Sequence, residues 1–384
     1  MTDSPAKSGP LSGIKVVELA GIGPGPYAGQ LLADMGADVV VIDRPGGGMP
    51  KAIDGRGKRS IVLDLKKPEA VEALLKLVAT ADILIEGLRP GVTERMGVGP
   101  DACHAVNPGL IYGRMTGWGQ SGPWSQMAGH DINYIGMTGV LNAIGKRGQP
   151  PVPPLNMIGD FGGGSMFLVT GILAALIERE RTGKGNIVDS AIVDGTHSLM
   201  SFVHGMAGLG QWRTQREGNL LDGAAPFYRC YLTADGKFMA VGCIEPQFFA
   251  AMMERLPINT EAYGGQHDRA GFAKQHELLE DAFATKTREE GETIFAGTDA
   301  CVTPVLDYVE AAAHPANAER QAVVQDGRWL HPQIAPRLAT QPLATHFEIA
   351  TKGGNYAAIL AEAGLGENEI SQLIAAGAVI ANKD

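Results

Sequence analysis

A chain of 384 residues, 45% hydrophobic and 19% charged, has ample apolar material for one large or two medium cores, which excludes extensive disorder. Its formal net charge of −10 disfavours nucleic acid and anionic membranes as partners. Four cysteines (Cys103, Cys230, Cys243 and Cys301) stand far apart with no Cys-x-x-Cys pair, so buried thiols are expected rather than disulfides or a zinc site.

In chain order, Ile14–Glu18 reads as a buried strand, followed by the loop Gly21-Ile22-Gly23-Pro24-Gly25-Pro26 and a helix over Tyr27–Met35. Strands are expected at Ala37–Ile42, Ile61–Leu65, Ile83–Ile85 and Leu110–Arg114, with a helix over Pro68–Thr80 that carries proline in its first turn. This alternation predicts an α/β fold, a large domain with an open parallel, Rossmann-like sheet. Two longer helices are expected from near His130 and near Asp160, and a third over Ser190–Met206. Beyond Gly218–Phe227 the pattern changes. Phe227–Leu232 and Phe238–Val241 form a hairpin through Asp235-Gly236, because Asp-Gly supplies the positive φ of a tight turn. With a strand at Ala300–Val302, this region predicts a smaller α+β domain. The segment Ala313–Pro342 reads as an extended linker, and Tyr356–Ala363 and Asn368–Ala376 as closing helices. The expected division is 1–212 for the large domain, 213–305 for the small one, and 306–384 for a linker and helices that return to the first.

No apolar run is expected to reach the roughly 18–20 residues of a membrane helix, because charges interrupt each one. The start, MTDSPAKSGPLSG, has no apolar core of a signal peptide, and Ala381-Asn382-Lys383-Asp384 is unlike a Ser-Lys-Leu address. A cytoplasmic location is the default expectation.

The first glycine loop, with Asp43 some twenty residues on, resembles a dinucleotide-binding fingerprint. Yet Pro24 and Pro26 remove backbone N–H groups that a pyrophosphate needs, so a nicotinamide or flavin enzyme is disfavoured. Residues 44–95 carry ten Lys/Arg against seven acidic side chains, either a solvated face or a site for a multiply phosphorylated small molecule. Three stretches join glycines to an ionisable side chain at a helix start: Gly129-His130-Asp131, Asn156-x-x-Gly159-Asp160-x-Gly162-Gly163-Gly164, and Gly242-Cys243-Ile244-Glu245-Pro246-Gln247. A lone aspartate there reads first as a cap and a lone histidine as structural. The glycines around Asp160 leave room for a ligand chain to approach, and the N–H of Asp131 belongs to the unpaired donors at a helix start.

Those stretches, together with Val16–Pro26, Arg89-Pro90-Gly91-Val92, Met115–Pro123 and Ala300–Val305, resemble the bacterial α-methylacyl-CoA racemases of the family III CoA-transferase superfamily. The resemblance runs in order along nearly the whole chain and weakens at residues 45–58 and in the last sixty or so. It implies the family III CoA-transferase fold, interlocked homodimers and a 2-methylacyl-CoA substrate, with no cofactor or metal beyond the CoA of the substrate. It further implies that His130 and Asp160 are acid/base groups on the two faces of C2, that Glu245 orients His130, and that Asn156 supports Asp160. The Asp131 N–H would meet the thioester oxygen, and Arg44, Lys66, Arg89 and Arg95 the phosphates and adenosine of CoA.

The residue types suit that chemistry. Inversion at C2 needs one group on each side, and imidazole and carboxylate each serve as base and, once protonated, as acid. The enolate oxygen needs a pre-aimed donor. Met200, Met206 and the apolar stretch Leu199–Leu209 either face the acyl chain or simply pack the core. Two rival classes stand beside the racemase: a family III CoA-transferase in which Asp160 attacks the thioester as nucleophile, and a binding protein without turnover.

Overall fold

The computed structural model describes residues 9–381, so the two terminal segments considered for targeting lie largely outside the described residues. The chain divides into two compact units, one of residues 1–138, 154–199 and 321–384, the other of residues 139–153 and 200–320. Relative to boundaries at 212/213 and 305/306, the second unit also takes 139–153, 200–212 and 306–320.

The first unit is built on six parallel strands: β1 (Lys15–Leu19), β2 (Asp38–Asp43), β3 (Lys58–Val62), β4 (Ile83–Glu86), β5 (Ile111–Thr116) and β6 (Asn186–Ala191). Their order is β3-β2-β1-β4-β5-β6, that of doubly wound nucleotide-binding sheets, and its direction of winding reverses between β1 and β4. The strands are apolar runs because both faces are covered. Val16, Val39, Ile83 and Ile111 pack on one face with α1 (Pro24–Asp34) and Leu168, Ile172 and Leu176 of α4 (Met166–Thr182). Their neighbours Val17, Val40, Leu84 and Tyr112 pack on the other with α2 (Pro68–Val78) and with Ile359 and Leu360 of the C-terminal segment. The alternation is the two-residue period of the pleat expressed as two cores.

Several elements depart from the sequence-based expectation. β3 begins at Lys58, three residues before the expected apolar start, because neighbouring acids neutralise Lys58 and Arg59. β6 takes Ser190 and Ala191 from the start of the helix expected over Ser190–Met206, the rest of which forms two helices, Ile192–Leu199 and Ser201–Gly208. The strand is the edge of the sheet, half exposed and without an apolar run, and pairing with β5 defines it. The helix after His130, α3 (Asp131–Met137), has only seven residues and gives way at Gly139, whose φ of 85° is left-handed. The expected linker holds an antiparallel hairpin, Val323–Asp326 with Trp329–Pro332, closed by Asp326-Gly327.

A π-helical segment, Met157–Ser165, runs straight into α4. Contrary to the expectation about charges, Met157–Thr182 is one helix long and apolar enough, by length and composition alone, to cross a membrane. Its buried residues Leu168, Val169, Ile172, Ala175 and Leu176 belong to the core of the first unit.

The second unit carries the antiparallel sheet β7 (Tyr228–Leu232), β8 (Phe238–Gly242) and β9 (Val302–Val305), with β8 central. Tyr231, Met239 and Val241 point into a core shared with Met252, Leu279, Phe283 and Phe295. Of the cysteines, all free, Cys103 and Cys243 are buried as expected, but Cys230 and Cys301 are exposed.

Candidate active site

Parallel strands put all their carboxyl ends on one edge, and the reversal between β1 and β4 parts the connecting loops there to leave a crevice. A cavity of about 640 Å³ occupies it, lined by Gly21–Pro26 after β1, Gly87–Pro90 after β4 and Thr116–Trp118 at the end of β5. His130, Asn156 and Asp160 line the same cavity.

Asp160 sits in the first turn of the π segment, where Phe161 N–H donates to Asn156 O at 3.3 Å. Glycines permit the wide backbone of this turn to pack closely. A Cβ on Gly163 would lie 2.4 Å from Thr196 Oγ1, and one on Gly164 3.2 Å from Pro24 Cβ. The loop after β1 closes over the carboxylate. Gly23, at φ 67°, comes so near that a Cβ there would lie 3.1 Å from Asp160 Oδ2. Asn156 Nδ2 donates to that same oxygen at 3.4 Å. Burial raises the pKa of Asp160 and the Asp131 carboxylate raises it further, while Asn156 and His130 oppose the shift without cancelling it. The group therefore keeps its proton to higher pH than an ordinary aspartate.

His130 is exposed and stands at the N-cap of α3, and its backbone N–H donates to Asn133 Oδ1 at 3.0 Å. Tyr134, four residues on in the same helix, donates its hydroxyl to Gly129 O at 2.5 Å and so fixes the backbone that enters His130. Sequence inspection missed this tyrosine. Its signal was the pair Gly117 and Gly129, where a Cβ would stand 2.1 Å and 2.7 Å from the Tyr134 ring. Trp118, edge-on to Tyr134 at 4.8 Å, completes that wall.

Asp131, the residue nominated for its N–H, proves to have a buried side chain whose Oδ1 accepts the N–H of Asp160 at 2.7 Å. Glu245 belongs to the second unit, where it is the exposed N-cap of the helix Pro246–Met253. Met200 and Met206 also belong to the second unit. The methionines that line the cavity are Met49, Met115 and Met127, while Met206 lines a separate cavity of about 460 Å³ within the second unit.

The basic segment 44–95 resolves into two groups. Lys51 pairs with Asp43 at 3.0 Å, Arg56 with Asp34 at 2.9 Å, Lys58 with Glu18 at 2.8 Å, Arg59 with Glu362 at 2.8 Å and Lys76 with Glu369 at 3.1 Å. Lys67 donates to the carbonyl of Ala376. These six have partners within the fold, the buried ones at Lys51, Arg56 and Lys58 bracing it. Arg44, Lys66, Arg89 and Arg95 are exposed and have no ion pair among the described residues. They follow the carboxyl ends of β2, β3 and β4, on the edge that bears the cavity, and Arg89 lines it. Asp43, the acid of the dinucleotide-like pattern, is buried and taken up by Lys51 and by Ser60 Oγ at 2.6 Å. No group of three His, Cys, Asp or Glu side chains suited to a metal occurs among the described residues.

Comparison with known proteins matches CoA-transferase family III over residues 11–348. The chain is 46% identical to the alpha-methylacyl-CoA racemase of Mus musculus, over 94% of this chain and 96% of that one. It is 43% identical to the alpha-methylacyl-CoA racemase of Homo sapiens, over 97% and 98%. Among solved structures, a CAIB/BAIF family protein from Brucella suis superposes with a TM-score of 0.80 at 27% identity, covering 93% of this chain and all of that one. A carboxyl-edge cavity that gathers the Asp160 glycine segment and the loops after β1 and β4 thus sits inside a match that spans most of the chain, which belongs to CoA-transferase family III.

Proposed function

We propose that the protein is an isomerase that interconverts the (2R) and (2S) epimers of 2-methylacyl-CoA thioesters by two-base proton transfer through an enolate. The observation that carries this reading is the lining of one cavity by an imidazole, His130, and a carboxyl of raised pKa, Asp160. A base works best when its pKa approaches the working pH, and the shift of Asp160 is in that direction. One of the two takes the C2 proton and the other returns a proton to the opposite face. Asn156 orients the carboxyl, and the Asp131 N–H, free at the start of α3, meets the enolate oxygen. The resemblance adds Glu245 as the group that orients His130, and an interlocked homodimer as the assembly. The chemistry asks for no cofactor beyond the CoA of the substrate. A cytoplasmic location, with neither nucleic acid nor membrane as partner, completes the proposal.

The test is incubation of one 2-methylacyl-CoA epimer in deuterated water without any added carboxylic acid. Racemisation with deuterium at C2 is expected. Strict dependence on an acid acceptor would transfer Asp160 to the role of nucleophile in a CoA-transferase.

Arg44, Lys66, Arg89 and Arg95 are assigned to the phosphates and adenosine of CoA, with Arg89 nearest the chemistry. Arg89→Ala is expected to raise KM about tenfold, the size of one charge-assisted hydrogen bond, with kcat near wild type. Steady-state kinetics at fixed ionic strength read this, and an unchanged KM removes Arg89 from the phosphate site.

A further inference from the structure

We infer that the Asp131 carboxylate is a positioning group, a staple that sets the spacing between His130 and Asp160. This deepens the two-base reading and rests on it. Asp131 follows His130 directly in the chain, is 7% exposed, and its Oδ1 accepts the N–H of Asp160 at 2.7 Å. Gly159 N–H donates to the same side chain. One carboxylate thereby ties the start of α3, which carries the histidine, to the first turn of the π segment, which carries the aspartate. The fit is tight from the other side as well. A Cβ on Gly159 would fall 2.4 Å from Asp131 Oδ1 and 2.9 Å from Ile135 Cγ2, so that position takes only glycine while the carboxylate stays in place.

The other carboxylate oxygen, Oδ2, is buried without a hydrogen-bond partner. An inaccessible acceptor left unpaired is costly, and a neutral side chain would hold the Asp160 N–H at lower cost. The charge therefore has its own effect, which is to oppose ionisation of Asp160. The groups that face Asp160 are Asp131 and His130 from the start of α3, Asn156 from the segment before it, and the Tyr134 phenol, itself influenced by Arg89. Of these, Asp131 is the one other carboxyl; burial raises its own pKa, and the N–H groups of Asp160 and Gly159 oppose that rise by favouring the ionised form.

Three variants test the staple in the full-length protein, with racemisation and its pH profile as readouts. Asp131→Ala removes both the acceptor and the charge, and kcat is expected to fall about 100-fold, as for a small misplacement of a catalytic group, with KM near wild type. Asp131→Asn keeps an acceptor oxygen and loses the charge. A smaller fall in kcat is expected, and the acid limb of kcat/KM moves to lower pH, because Asp160 then ionises more readily. Gly159→Ala keeps the charge but displaces the carboxylate, so kcat falls without that downward movement. If the alanine variant of Asp131 does not fold, the other two carry the test. An unmoved acid limb in Asp131→Asn, or near-normal kcat in Asp131→Ala or Gly159→Ala, overturns the staple while wild-type racemisation stands. Failure of the wild type to racemise at all overturns the two-base reading and the staple with it.

Discussion

Replacing His130 or Asp160 with alanine is expected to lower racemisation about 1,000-fold, within the usual range for loss of a positioned acid or base, while CoA binding stays nearly unchanged. The reason lies in where the two groups sit. Both line the cavity at the carboxyl edge of the sheet, and neither supports a strand. His130 is exposed at a helix entry, and among the described residues Asp160 accepts a side-chain hydrogen bond only from Asn156. The more telling result is exchange without inversion. A variant with one base left still removes and returns the C2 proton from that base's face. It therefore exchanges deuterium into one epimer and leaves the other untouched. His130→Ala and Asp160→Ala are expected to retain opposite epimers, which mass spectrometry of each pure epimer in deuterated water reads directly. If both variants retained the same epimer, or either racemised at near-normal rate, the two-base assignment would be wrong.

Lys58→Met is expected to destabilise the first unit by about 3–5 kcal/mol at neutral pH, the cost of leaving one member of a buried ion pair uncompensated. Lys58 Nζ lies 2.8 Å from Glu18 Oε2, and the two side chains are 0% and 1% exposed. The ammonium also donates to Pro26 O at 2.8 Å, so the pair anchors the glycine loop that closes over Asp160. The site leaves no room for relaxation, since a Cβ on Gly29 would come within 1.9 Å of Glu18 Oε2. Burial raises the pKa of Glu18, and Lys58 opposes the rise. Without Lys58 the pKa climbs further. A carboxyl whose folded pKa lies above its unfolded value costs nothing below the unfolded value, and its penalty grows as pH rises through the folded one. The loss should thus be largest at neutral and alkaline pH and shrink on acidification. Glu18→Gln in the Lys58→Met background is expected to recover much of the stability, because it removes the stranded charge. Urea denaturation across pH measures this, and a loss under about 1 kcal/mol in the single variant rules out the anchoring role.

The sequence was most legible where local chemistry and tertiary need agree. β1, β2 and β4 are short apolar runs bounded by turn residues, and strands covered on both faces are expected to read so. The helix signal at Pro68 marks a real first turn, whereas Pro24, read as part of the loop, also begins a helix, three residues before the expected Tyr27. It was least legible where a strand owes its existence to a neighbour. Nothing local in Asn186–Ala191 signals β6, and the free edge of β5 supplies its hydrogen bonds. Lys58 and Arg59 disguised the start of β3, because their counter-charges on Glu18, Asp38 and Glu362 lie 40, 21 and 303 residues away in the chain.

For the site, residue types and glycine spacing drew attention to His130 and Asp160 but read them first as structural and as a cap, and the family resemblance supplied their roles and that of Asn156. Residue types also marked the basic stretch, without telling which cations are free. Sorting the six with partners in the fold from Arg44, Lys66, Arg89 and Arg95 required those partners, most of which lie far off in the chain. Asp131 shows the same limit: its N–H was predictable from its place at a helix start, but its side chain found the N–H of Asp160, 29 residues on. Composition and local pattern determined which chemistry the chain carries. Only the folded backbone decided which charges face a ligand, because a buried charge must be paired and the pairing partner is set by topology.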